Sequence, residues 1–172
     1  MRPEALSRQT VSLSSDCVAV RDMTDEKTVH MFDSNTGKAL GDGRPFVHKQ
    51  DVVEIALEQT GPAHERKLAI IDKNRDLHLV SVRRLGSGSV SGKLGAMVQS
   101  LRWSSDCSML AAMQDSRFTL WYYPAIISVD RALLNRSGHF YFETSKCTDW
   151  ATFICICNVF DCRPAKKALG NH

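Results

Sequence analysis

From Thr10 to Tyr122 the chain alternates short apolar runs with polar turns, and the runs carry a period of two rather than of 3.6. Three turn-to-strand segments align: Asp25–Asp33, Lys73–Ser81 and Ser116–Tyr122. With Val29, Leu77 and Phe118 taken as equivalent, the steps between them are 48 and 41 residues. Each segment is a tight polar turn leading into alternating residues, the pattern of a strand whose two faces meet different surroundings. Val29 and Met31 are expected on one face, His30 and Phe32 on the other; in the third segment Phe118 goes with Leu120, and Thr119 with Trp121. Upstream of each turn lies a short apolar run fit for a strand covered on both faces: Val18–Val20, Leu68–Ile71 and Met109–Ala112. Before those come further alternating runs, Thr10–Leu13, Val53–Leu57 and Val98–Trp103. Three strands per unit are legible; a fourth edge strand is not.

One phrase recurs. Ser14-Ser15-Asp16-Cys17 returns 90 residues later as Ser104-Ser105-Asp106-Cys107, each time between two apolar runs. In the middle unit the corresponding turn is Gln59–Pro62. Ser, Asp and Gly suit such turns because they cap backbone groups or accept positive φ. A repeat of twice ~45 residues is the spacing of propeller blades. The expected fold is all-β: a partial WD-repeat β-propeller of about three blades, with an irregular C-terminal tail. The expected divisions are a partial blade at 8–45, blades at 46–92 and 93–131, and a divergent tail at 132–172, disordered or adding a strand. Asn35-Thr36-Gly37-Lys38 reads as a hairpin turn, and Leu85–Gly92 as a flexible Gly/Ser loop. Propellers close with ~4–8 blades. Three leave strand edges open, and the apolar run Thr152–Phe160 is a candidate to cover one.

Composition narrows the functional classes. The net charge of +3 is too small a bias to argue for nucleic acid or membrane surfaces. No apolar run approaches the ~20 residues needed to span a bilayer, and Met1–Ser7 lacks a signal-peptide core. A soluble intracellular protein with reduced cysteines is expected. Four of the six cysteines, Cys147, Cys155, Cys157 and Cys162, lie in the tail with His139 and His172. They offer thiolate and imidazole, yet form one tight C-x-C pair rather than the two knuckles of a structural zinc site. Incidental thiols are the favoured reading, and no metal or cofactor is assigned. Cys17 and Cys107, at matching turn positions, suggest packing rather than catalysis.

Gly88–Lys93 misses the phosphate-loop pattern at two positions, and His64-Glu65 lacks the second histidine of a zinc protease. Asn135-Arg136-Ser137 is a glycosylation acceptor only in a secreted protein. Trp103 and Trp121 read as blade core. Tyr122, Tyr123 and Pro124 end their strand and form the candidate interaction surface. No catalytic residue emerges.

Five phrases carry a more specific resemblance: Gln9–Ser14, Thr36–Gly43, Ile71–Leu77, Gln114–Phe118 and Trp121–Pro124. Over about Ser7 to Arg131 the chain resembles the family of the eighty-kilodalton WD-repeat subunit of intraflagellar transport complex B. The resemblance implies part of the second of two tandem propellers. It further implies a non-enzymatic scaffold role in cilium assembly, with other complex B subunits as partners. Nucleic acid, a membrane span and a small-molecule substrate are not expected. The implied localisation is the cilium, the ciliary base and the cytoplasm. From Leu133 to His172 the resemblance lapses, and a truncated or alternatively spliced isoform is the expected origin. The alternatives are a generic WD-repeat adaptor, or a small thiol- or metal-binding protein built on the tail cysteines.

Overall fold

The computed structural model describes residues 7, 9–40, 43–59, 66–82, 92–104, 109–114, 117–122 and 142–143. Every strand pairs antiparallel with its sequence neighbour. The first sheet holds β1 (Val11–Leu13), β2 (Cys17–Arg21), β3 (Thr28–Asp33) and β4 (Phe46–Val47). The second holds β5 (Val52–Leu57), β6 (Lys67–Asp72), β7 (Leu77–Ser81) and β8 (Gly92–Gly95). The third holds β9 (Val98–Trp103), β10 (Met109–Gln114), β11 (Arg117–Tyr122) and β12 (Phe142–Glu143). Each is a four-stranded meander, in order, as a propeller blade requires. Among the described residues no helix is long and apolar enough to cross a membrane.

Register confirms the alignment of the three units. Val29 pairs with Arg21 and Phe46, Leu77 with Ile71 and Gly95, and Phe118 with Met113 and Phe142. Each therefore stands at the same place on the third strand of its sheet. The fourth strands set the sheet limits: Phe46–Val47 bonds to β3, Gly92–Gly95 to β7, and Phe142–Glu143 to β11. Phe46–Val47 and Phe142–Glu143 lie past the expected limits at 45 and 131, and Gly92–Gly95 straddles the one at 92.

The sheets stack through two apolar cores. Between the first and second lie Cys17, Ala19, Val29, Met31, Ile55, Leu57, Leu68, Ile70 and Val80. Between the second and third lie Ala69, Ile71, Leu77, Leu79, Leu94, Leu101, Leu110 and Trp121. β6 serves both: Leu68 and Ile70 face one way, Ala69 and Ile71 the other, all of them fully buried. That is why Leu68–Ile71 reads as an unbroken apolar run. On β3 the expected alternation holds, with Val29 and Met31 buried and His30 and Phe32 partly exposed.

The first strands lie side by side and are laced together. The Ile55 amide donates to the Gln9 carbonyl at 3.1 Å, and the Leu57 amide to Ser12 Oγ at 2.9 Å. One unit on, Trp103 Nε1 donates to the Ala56 carbonyl at 3.1 Å. Leu57 and Trp103 occupy equivalent register positions, so each unit grips the one before it at the same point. Trp103 also packs against the second core, and Trp121 is only 2% exposed; both indoles are structural.

The repeated phrase has a mechanical meaning. Ser14 Oγ accepts from the Cys17 amide at 3.2 Å and donates to Asp16 Oδ1 at 2.8 Å, closing the β1–β2 turn. In the third sheet Ser104 Oγ accepts from the Met109 amide at 3.0 Å. In the second, a Glu58 carboxylate oxygen accepts from the Lys67 amide at 2.9 Å. Cys17, Lys67 and Met109 are therefore the equivalent residues. This corrects the equivalence of Cys17 with Cys107: the third turn closes two residues later than the first, so matching letters do not mark matching positions. Cys107 itself lies outside the described residues.

Candidate functional site

Asp72 is the last residue of β6, and His78 is the second residue of β7, across the turn from it. Asp72 shapes that turn: its Oδ1 accepts from the amides of Asn74 at 2.9 Å and Asp76 at 3.0 Å. Oδ2 is left facing two imidazoles. His78 Nε2 lies 3.3 Å from it, and His48 Nε2, from the β4–β5 connection, also 3.3 Å. The two rings meet edge to face with centroids 4.7 Å apart. Side chains of Asp72 and His48 are 4% and 5% exposed, and that of His78 is 13% exposed.

Burial opposes the charge of Asp72, but the amides of Asp76 and Asn74 and the two imidazoles outweigh it and hold the carboxyl below its usual range. Burial pushes His78 down, as does the neighbouring His48, against the pull of Asp72. The cluster is therefore a carboxylate with a neutral imidazole at His78. Around it Lys73 pairs with Asp51 at 3.1 Å and Lys93 with Asp76 at 2.6 Å.

The same device recurs in the other sheets with different chemistry. In the first, Asp22 takes the place of Asp72 and His30 that of His78, 3.0 Å apart. Asp22 is held well below the carboxylate range, chiefly by the Thr24 amide, then by the Thr24 hydroxyl and His30. In the third, Gln114 bonds Thr119 Oγ1 at 2.5 Å and the Ala96 carbonyl of the preceding connection at 2.7 Å. A side chain at the end of the second strand thus ties the third strand in every sheet. In the second and third sheets it also ties the connection entering from the sheet before. Among the described residues, only in the middle sheet are all three members metal-ligand types, with donor atoms within 4.8 Å of one another.

Sequence inspection missed this trio, whose members stand on three segments. The available signal was the recurrence of an aspartate and a histidine at equivalent places, Asp22 with His30 and Asp72 with His78. Of the expected surface, Tyr122 ends β11 opposite Met109, while Tyr123 and Pro124 lie outside the described residues. The tail cysteines and Thr152–Phe160 lie outside them as well. Cys17 is 2% exposed. Burial pushes its thiol up, against the Ser14 hydroxyl, which suits packing and not nucleophilic attack.

A second buried carboxylate sits at the seam between the second and third sheets. Glu54, on β5 and 3% exposed, faces Arg102 of β9 at 3.7 Å. Burial raises its pKa; Arg102, the Leu101 amide and Arg75 offset this only in part. A carboxyl raised in the folded state adds stability below its unfolded value, and loses that contribution as pH rises through the folded one. Glu54→Gln is therefore expected to gain stability relative to the parent between pH 4.5 and 7. Urea unfolding at both pH values checks it; a relative loss at pH 7 would contradict it.

The model of the IFT80 second beta-propeller family matches residues 1–161, thirty residues beyond Arg131, where the resemblance read from sequence ends. The matched range includes the tail as far as residue 161. The chain is 50% identical over 137 residues to an intraflagellar transport protein 80 homolog of Mus musculus, covering 80% of this chain and 18% of that protein. The Rattus norvegicus homolog is 48% identical over the same length, with the same coverage. The chain thus spans about a fifth of the length of these curated relatives. Among solved structures, the crystal structure of HIRA(644-1017) aligns with a TM-score of 0.48 at 12% identity, covering 77% of this chain and 37% of that one.

Proposed function

Because the chain belongs to the IFT80 second beta-propeller family, we propose that it is a non-enzymatic scaffold segment of intraflagellar transport complex B. It acts by protein contacts with other complex B subunits and supports cilium assembly. Its place is the cilium, the ciliary base and the cytoplasm. The observation that carries this reading is the family match over residues 1–161, laid on three sheets whose polar clusters tie strands and connections to one another. Blade-like units of this kind offer broad surfaces without a reaction centre. The surface proposed to meet partners is the strand end at Tyr122, Tyr123 and Pro124.

The test is to tag the chain in ciliated cells and recover its partners. Complex B subunits should co-purify, and the tag should enter cilia. Substituting Tyr122 and Tyr123 by serine should reduce recovery while leaving the melting temperature unchanged. Recovery of unrelated partners with no ciliary signal would replace this reading with that of a general WD-repeat adaptor.

A further inference from the structure

We infer that His48, Asp72 and His78 form a binding site for one divalent transition-metal ion of the zinc or cobalt class. Three observations carry this. The donor set, two imidazoles and one carboxylate, is what such ions prefer over magnesium or calcium, which favour oxygen ligands. Two of the three spacings already fit. Ligands ~2.0–2.1 Å from a tetrahedral zinc stand ~3.3–3.4 Å from each other, and both Nε2–Oδ2 distances are 3.3 Å; the donors as a set lie within 4.8 Å of one another, so the two rings close in on the ion when it binds. Charge-assisted N–H···O bonds are shorter, ~2.7–2.9 Å, so these contacts are long for hydrogen bonds and right for the edges of a coordination shell. The third is preorganisation. Oδ1 of Asp72 is fixed by two amides, which aims Oδ2 at the rings. Lys73 and Lys93, which flank the turn, are held by Asp51 and Asp76 rather than by Asp72.

Metal entry replaces the two N–H···O contacts. In the bound form each imidazole gives its Nε2 lone pair to the ion and carries its one ring proton on Nδ1. His78 Nδ1 is buried without a hydrogen-bond partner, and a proton there has no acceptor. That cost, with only three protein ligands, makes this a weaker, open site rather than a closed structural one. A water completes the shell.

The test uses the whole chain and Co²⁺ as the probe, with zinc as competitor. Expected is one equivalent of bound Co²⁺, with ligand-field bands, no thiolate charge transfer, and displacement by zinc. His78→Gln and His48→Gln, near in size and still able to hydrogen-bond, should each weaken binding about tenfold or more. Circular dichroism confirms that they fold. His139→Gln, in the tail, should bind as the parent does. Thiolate charge transfer that persists in His78→Gln would place the ion on cysteines and overturn the assignment. So would binding unchanged in both variants, or no binding by the folded parent.

Discussion

Replacing Trp121 by alanine is expected to cost ~3–5 kcal/mol, the range for removing a buried large aromatic side chain. The indole is 2% exposed on β11, opposite Leu110, within the core shared by the second and third sheets. It also lies against Gly95 of β8. A Cβ built on Gly95 would meet Cζ2 of the ring at 3.0 Å and Cη2 at 3.3 Å, so the ring fills space that only glycine leaves open. Gly95→Ala alone is accordingly expected to cost ~1–3 kcal/mol by overpacking. In the Trp121→Ala background the clash has no partner, so the two costs should sum to less than their separate values. Domains hold ~5–15 kcal/mol in all, so the tryptophan change removes a large share. Urea unfolding gives all three numbers. A loss under ~1 kcal/mol for Trp121→Ala would mean that this seam contributes little.

Asp16→Ala is expected to cost ~2–4 kcal/mol, and more than Arg66→Met. Arg66 is 3% exposed, its Nε lies 2.8 Å from Asp16 Oδ1, and its Nη1 donates to the Glu58 carbonyl at 2.6 Å. The pair joins the repeated-phrase turn of the first sheet to the approach to β6 in the second. Removing one partner of a buried charge pair is worse than replacing the charge with apolar bulk. The two partners are not alike. The Asp16 side chain is 31% exposed and can turn to water when Arg66 goes, whereas the guanidinium is buried and keeps its charge when Asp16 goes. Arg66→Met should therefore cost only ~1–2 kcal/mol. Thermal and urea unfolding of both variants decide it; the opposite order would show the carboxylate to be the costly member.

These expectations show what sequence pattern conveys and what it withholds. The second and third strands of each sheet were legible because their faces alternate, or because a strand buried twice, like β6, is apolar throughout. The fourth strands were not, since Phe46–Val47 and Phe142–Glu143 are two residues each and Gly92–Gly95 is half glycine. Strands so short carry no period; pairing alone defines them. The Ser-Ser-Asp-Cys repeat located two turns, but its letters misaligned the third, because Met109 stands at the register position that Cys17 holds in the first sheet. The His48–Asp72–His78 cluster needed the fold. His48 is 24 residues from Asp72, on a connection whose path is set by backbone bonds such as the His48 amide to the Lys27 carbonyl at 2.8 Å. A family match likewise reached residue 161, past the point where phrase-by-phrase likeness ran out.

The two-sided burial of β6 also governs how change is felt in this chain. A substitution on β2 or β10 disturbs mainly the core it faces. On β6, widening Ala69 presses on the third sheet, while widening Ile70, its immediate neighbour, presses on the first. A shift of the strand that relieves one side loads the other. β6, with β7 beside it, is thus where the two cores are obliged to agree, and a route by which drift in one blade is transmitted to the next but one.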